Sequence, residues 1–140
     1  MNPSPVERVL TELDHTRLSK LAHPHSQTPV PDPVLEPLQD LLTDARIVPS
    51  REVRADIVTM YSQILAELPG NTTPSKLVLC YPSDAEPANG FISVLSPMGL
   101  ALLGLPKGQT AHWQSPTGQP MSARVRELLF QPEASGDYLS

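Results

Sequence analysis

The chain has little of what most binding and catalytic chemistries are built from. Cys80 is its only cysteine, so an internal disulfide is excluded, and the chain reads as a protein of a reducing cytoplasm. Its ten Lys and Arg are scattered through 140 residues against fifteen Asp and Glu. Without a cluster of cations to displace counterions from phosphates, direct binding to nucleic acid is not expected. The formal net charge of −5 divides into −3 over residues 1–50 and −2 over residues 51–140. The longest apolar stretch, around Leu100–Leu105, is far too short to span a bilayer. The opening Met1-Asn2-Pro3-Ser4-Pro5 lacks the basic and apolar regions of a signal peptide, so a soluble, cytoplasmic protein is expected. There is no glycine-rich phosphate loop, nucleophile elbow, cysteine-rich zinc pattern or internal repeat.

Apolar residues make up 39% of the chain, a little low for a single well-filled core, so part of the chain is expected to be an arm or exposed loop. The opening of the chain reads as two amphipathic helices. Thr11 is a fitting N-cap, with Leu13, Leu18 and Leu21 near one face. His23-Pro24 ends that helix, because the residue before proline is pushed out of the α region. In the second helix Asp32 caps, Pro33 takes the first position, and Val34, Leu35, Leu38, Leu41, Leu42 and Ala45 form an apolar stripe. The proline-rich segment 23–31 between them forbids helix and favours a stiff loop. Together these predict a short antiparallel helical hairpin over residues 1–49.

Near Val48-Pro49-Ser50 the pattern changes, and residues 50–140 read as a second unit. Strands are predicted at Ile57–Ile64, Leu77–Tyr81, Phe91–Leu95, Thr110–Gln114 and Arg124–Phe130, with a bulge or register change near Glu127. Turns fall at Pro69-Gly70-Asn71, Asn89-Gly90 and Pro116-Thr117-Gly118. One short helix interrupts them: Ser96 caps, Pro97 opens, Gly104 closes in the left-handed conformation and Pro106 prevents continuation. The fold class is α+β, a helical hairpin followed by a small antiparallel sheet with one helix across it.

Few residues suggest chemistry. His23 and His25 flank Pro24, but a transition-metal site needs more ligands than these. Asp32 and Glu36 stand four apart and could hold Mg²⁺ or act as acid and base; they equally fit a cap and a first-turn charge. His112 is expected as a half-buried strand residue, and Cys80 as an inert core residue. The Ser96-Pro97-Met98 turn offers free N–H groups at a helix start beside an adaptable Met side chain. Whether Met98 faces a partner or the core stays open at this level.

The segment Phe91-Ile-Ser-Val-Leu-Ser-Pro-Met-Gly-Leu-Ala-Leu-Leu-Gly104, with Lys107-Gly108 after it, resembles the hallmark of the C-terminal domain of the GreA/GreB transcript-cleavage factors. Asp56-Ile-Val-Thr-Met60 and the Pro116-Thr-Gly118 turn fall where that domain has strand and hairpin. The closing run from Glu127 to Leu139 resembles a narrower bacterial group, the regulators of nucleoside diphosphate kinase. The resemblance implies an FKBP-like domain that docks on RNA polymerase near its secondary channel, with Ser96, Pro97 and Met98 in the contact, and no cofactor or membrane. Gre factors insert a long coiled coil whose acidic tip helps hold a catalytic Mg²⁺. That tip is not reproduced in His23–Pro31, and a dozen residues per helix give only about 18 Å. A non-catalytic competitor for the Gre site is therefore expected, acting on nucleoside diphosphate kinase levels indirectly. The alternatives are residual transcript cleavage through Asp32 and Glu36, and prolyl isomerisation. The second would need an aromatic-lined pocket, and the chain has only two Phe, three Tyr and one Trp.

Overall fold

The computed structural model describes residues 7–22, 30, 32–115 and 117–136. Helix α1 (Glu12–Leu21) begins where the sequence predicts: Thr11 is extended, and its hydroxyl accepts the Asp14 N–H at 3.0 Å. Helix α2 (Asp32–Asp44) contains Pro37, which leaves the Pro33 carbonyl without its helical donor. The predicted Asp32 cap concerns a side chain outside the description, as do His23 and His25. His15, in the first turn of α1, donates from Nε2 to the Leu42 carbonyl near the end of α2 at 3.0 Å. The start of one helix thus lies beside the end of the other, as the hairpin requires.

Two strands that periodicity does not reveal flank this pair. β1 (Val9–Thr11) precedes α1 and β2 (Arg46–Val48) follows α2, and they pair in parallel. Three residues are too few for an alternation to register above the helical pattern beside them.

The main sheet has five strands in the order β5-β4-β3-β7-β6. They are β3 (Gln63–Glu67), β4 (Ser75–Cys80), β5 (Phe91–Ser93), β6 (Thr110–Gln114) and β7 (Pro120–Phe130). Neighbours are antiparallel except β4 and β5, which run parallel. The bulge expected near Glu127 is present: Leu65 pairs with Glu127 but Ala66 with Val125, and a second slip follows at Gln63 and Ile64.

The strand predicted at Ile57–Ile64 is a correction. Only its end joins β3. Ile57 makes an isolated bridge to Pro106, and residues 58–62 form an irregular, largely buried loop. The aliphatic run there reflects burial, which a buried loop shares with a strand. Its backbone is satisfied by distant partners and by one of its own side chains: Val58 N–H reaches Leu105 O, Tyr61 N–H reaches Leu79 O, and Ser62 Oγ accepts from Thr59 N. Tyr61 has φ 64° and is the only non-glycine residue with positive φ among those described. Such a backbone persists where its surroundings over-determine it.

Helix α3 (Pro97–Leu102) packs on β5 and β6. One continuous core joins all of this. Leu10, Leu18, Val34, Leu38 and Leu41 from the first 49 residues are buried in the same cluster as Val58, Ile64, Leu79, Leu100, Leu102 and Val125.

Candidate docking site

The turn into α3 is held by serine hydroxyls. The Ser93 carbonyl accepts both the Ser96 N–H at 3.0 Å and the Ser96 hydroxyl at 2.7 Å. Ser93 Oγ accepts the Leu95 N–H, and Ser96 Oγ accepts the Gly99 N–H at 3.1 Å. Pro97 then restricts φ at the first helical position. Glycine is required at 99 by close approach: a Cβ there would lie 2.0 Å from the Ser93 carbonyl oxygen. Gly104 closes the helix at φ 82° as expected, and its carbonyl accepts the Val9 N–H at 3.0 Å.

Ser96, Pro97 and Met98 are all half-buried. Met98 packs against the core with part of its side chain and leaves part exposed. The supply of free donors is narrower than the sequence suggests, because Pro97 has no N–H and Ser96 Oγ takes that of Gly99. What the turn presents is therefore a fixed apolar surface more than a hydrogen-bonding one.

Sequence reasoning did not find the groups that brace α3 from behind. Arg8 donates from Nε to Leu103 O at 2.7 Å and from Nη2 to Leu100 O. It supplies a cation where the helix dipole is negative. Burial lowers its guanidinium pKa to about 10, so it stays charged at neutral pH. A lone arginine before a predicted helix carries no sequence signal for this role.

A second cluster ties three distant segments together around the 57–62 loop. Asp14, 1% exposed, accepts the Met60 N–H on Oδ2 at 3.2 Å. Its Oδ1 has no hydrogen-bond partner among the described residues. Burial pushes its carboxyl up to about 6; the charge of Glu133 adds to the rise, and the Met60 bond opposes it. Thr59 donates its hydroxyl to Glu133 Oε1 at 2.6 Å. Gln131 Nε2 donates to the carbonyls of Arg54 and Ile57, both at 2.8 Å. Gln131 and Glu133 thus fasten the segment after Phe130 to the loop.

The remaining sequence candidates are dispersed. Glu36 is exposed on α2 and cannot be set beside Asp32, whose side chain is undescribed. His112 is exposed, a correction to the half-buried position expected: it pairs with Ser122, so it points away from the inward Ala111–Ala123 pair. Cys80 is buried and donates to the Ile92 carbonyl at 3.5 Å; burial raises its thiol pKa. Among the described residues no three His, Cys, Asp or Glu side chains converge on a metal position, and no helix is long and apolar enough to cross a membrane.

Residues 53–128 match the C-terminal domain of the transcription elongation factors GreA/GreB. The "Regulator of nucleoside diphosphate kinase" of Escherichia coli K12 is 33% identical over 131 residues, covering 94% of this chain and 95% of that protein. The protein of the same name from Shigella flexneri matches equally. Among solved structures, a "Prokaryotic transcription elongation factor GreA/GreB" from Nitrosomonas europaea superimposes with a TM-score of 0.72 at 29% identity, covering 90% of this chain and all of that one. The chain belongs to the GreA/GreB family and is similar along nearly its whole length to the regulators of nucleoside diphosphate kinase.

Proposed function

We propose that this Gre-like regulator acts without catalysis, by docking on RNA polymerase near the secondary channel and keeping Gre factors from the same place. The observation that carries the reading is the Ser96-Pro97-Met98 turn. It is rigid before any partner arrives, so little conformational entropy is lost on association. It also offers an adaptable apolar side chain at its tip. The length of the arm supports the same reading: the 13 residues of α2 rise only about 20 Å, short for carrying a carboxylate into a buried catalytic centre. An influence on nucleoside diphosphate kinase levels then passes through transcription.

The test is a binding measurement with core RNA polymerase, repeated with a Gre factor as competitor. The wild-type chain is expected to bind, to be displaced by the Gre factor, and to leave RNA cleavage in stalled complexes unstimulated. Met98→Asp puts a charge into the contact and should cost about 2 kcal/mol or more, roughly thirtyfold in affinity. The variant must keep its thermal midpoint, since Met98 also touches the core. A folded Met98→Asp chain that binds like the wild type would move the docking surface elsewhere.

A further inference from the structure

The 57–62 loop concentrates backbone strain on one aromatic residue. Tyr61 holds φ 64°, a conformation that a bulky side chain adopts only where its surroundings enforce it. They grip the chain at and around it: Asp14 takes the Met60 N–H, Ser62 Oγ accepts from Thr59 N, and the Leu79 carbonyl takes the Tyr61 N–H at 2.6 Å. The side chain held in this way is only half-buried. Its hydroxyl donates to Asp84. Its ring lies 5.9 Å from that of Tyr81, with the planes at 58°, so the two form an angled pair rather than a stack. Strain of this kind gathers at binding and catalytic sites.

The tyrosine pair lines a cleft of about 400 Å³, together with Arg17 and Lys20 of α1 and with Ser83. That volume falls in the range of small-molecule sites. Arg17 and Lys20 are three residues apart, so they are neighbours on the surface of α1. Lys20 is exposed and makes no ion pair among the described residues. Arg17 stands beside the Tyr81 hydroxyl, and a guanidinium has five N–H donors to share. Two carboxylates lie close without lining the cleft: Asp84 holds the Tyr61 hydroxyl and Asp14 holds the Met60 N–H. The lining therefore carries two cations and no anion, in a chain of net charge −5.

We propose that this cleft binds a nucleoside phosphate, its base against Tyr61 and Tyr81 and its phosphate at Arg17 and Lys20. Aromatic faces accept a planar ring whatever its hydrogen-bonding edge. Two neighbouring cations match a group that carries more than one negative charge, and arginine pairs with phosphate oxygens through parallel N–H donors. Ser83 adds a hydroxyl for the sugar. An aromatic carboxylate carries a single charge for the two cations, and a phosphorylated phenyl ring has no sugar for Ser83 to meet. The cleft is built from α1, the 57–62 loop and residues 81–83, and it shares no residue with the 96–98 turn, so the proposal does not rest on docking. A ligand there touches both α1 and the loop that leads into β3, so binding stabilises the joint between the helices and the sheet.

The experiment is calorimetric titration of the full chain with adenosine monophosphate, guanosine monophosphate, adenosine, phenyl phosphate and inorganic phosphate. At least one nucleotide should bind with a Kd below about 1 mM, about tenfold or more tighter than adenosine, phenyl phosphate or inorganic phosphate, and should raise the thermal midpoint. Lys20→Glu, at an exposed position, should weaken nucleotide binding about tenfold or more with the thermal midpoint of the free chain unchanged. Tyr61→Gly removes the ring and suits the left-handed backbone, so a folded chain without nucleotide binding is expected. Where Tyr61→Gly does not fold, Lys20→Glu decides. Absence of nucleotide binding below about 1 mM overturns the proposal. Phenyl phosphate or inorganic phosphate that binds as tightly as the nucleotide makes the cleft a plain anion site, and the proposal falls. A folded Lys20→Glu or Tyr61→Gly chain with wild-type affinity puts the nucleotide elsewhere and overturns it too.

Discussion

The helical part before residue 49 and the sheet after it solve the same problem, burying an apolar face, with different economies of polar groups. In the sheet the backbone ladders satisfy the main chain; side chains take over at the α3 turn, through Ser93 and Ser96, and at the 57–62 loop, through Ser62, Asp14 and Gln131. The helices satisfy most of their own backbone, the Pro33 carbonyl opposite Pro37 excepted, but bring a carboxylate into the core: Asp14 stands in the first turn of α1, on the buried side. The sheet region buries polar side chains too, Thr59 and Glu133 among them, but pairs those two with each other. Asp14 carries a cost that only its contact with the sheet region explains, because it anchors the 57–62 loop from which β3 departs.

The sharpest break in that comparison is Gly99→Ala. The added carbon would sit 2.0 Å from the Ser93 carbonyl oxygen, a backbone atom with no rotamer to escape into, and the turn cannot yield without undoing its serine bonds. The expected loss exceeds about 4 kcal/mol, at the diagnostic end for a point substitution, and urea unfolding measures it. Loss below about 1 kcal/mol would mean that the turn is not the rigid part of the sheet unit.

Next is the joint between the regions. We propose that residues 50–140 form a unit that keeps a cooperative transition when residues 1–49 are removed, at a lowered thermal midpoint, because Leu10, Leu18, Val34, Leu38 and Leu41 leave the shared core. In the full chain, Leu38→Ala should cost roughly 2–5 kcal/mol in one transition seen equally by probes of helix and of the single tryptophan. Two separated transitions would show that the regions fold independently.

Asp14 contributes with an unusual sign. Its folded pKa of about 6 lies above the 3.8 of an ordinary aspartate, so the folded state holds the proton more tightly. Its stabilising contribution is complete below the unfolded pKa and is lost as pH rises through about 6. From pH 4 to pH 7 the loss from this group is about 3 kcal/mol at most, at 1.36 kcal/mol per unit. Asp14→Asn should therefore stabilise the chain at pH 7.5 and flatten the pH dependence between 4 and 7. A variant destabilised at pH 7.5, with the wild-type slope kept, would assign the titration to another group. The smallest expected effect is Thr11→Ala, about 1 kcal/mol for one lost N-cap bond; a neutral result would mean that α1 is held by packing alone.

Much of this fold is legible locally, because local rules act locally. The Thr11 cap, the Ser96-Pro97 start and Gly104 stop of α3, strand Thr110–Gln114 and the slip near Glu127 all follow from a few adjacent residues. The 96–98 turn is readable for the same reason: a cap, a proline and a methionine are neighbours in sequence, and the family resemblance rests on that segment. Its bracing was not, because Arg8 lies more than ninety residues from the carbonyls it holds.

What the sequence by itself determined is the kind of each element, the apolar stripe of each helix, and the absence of cysteine pairs and basic runs. What only the tertiary structure decided is where those stripes go and what the exceptions mean. Periodicity shows that Leu18, Leu38 and Leu41 must be buried, but not that they share a core with Val58 and Leu79. Composition makes Ile57–Ile64 resemble a strand, yet distant acceptors and donors, Leu105, Leu79, Asp14 and Gln131, hold most of it as a buried loop. Hydrogen bonds between residues far apart in the chain leave no periodic trace, and a buried carboxylate looks like a surface one until its neighbours are in place.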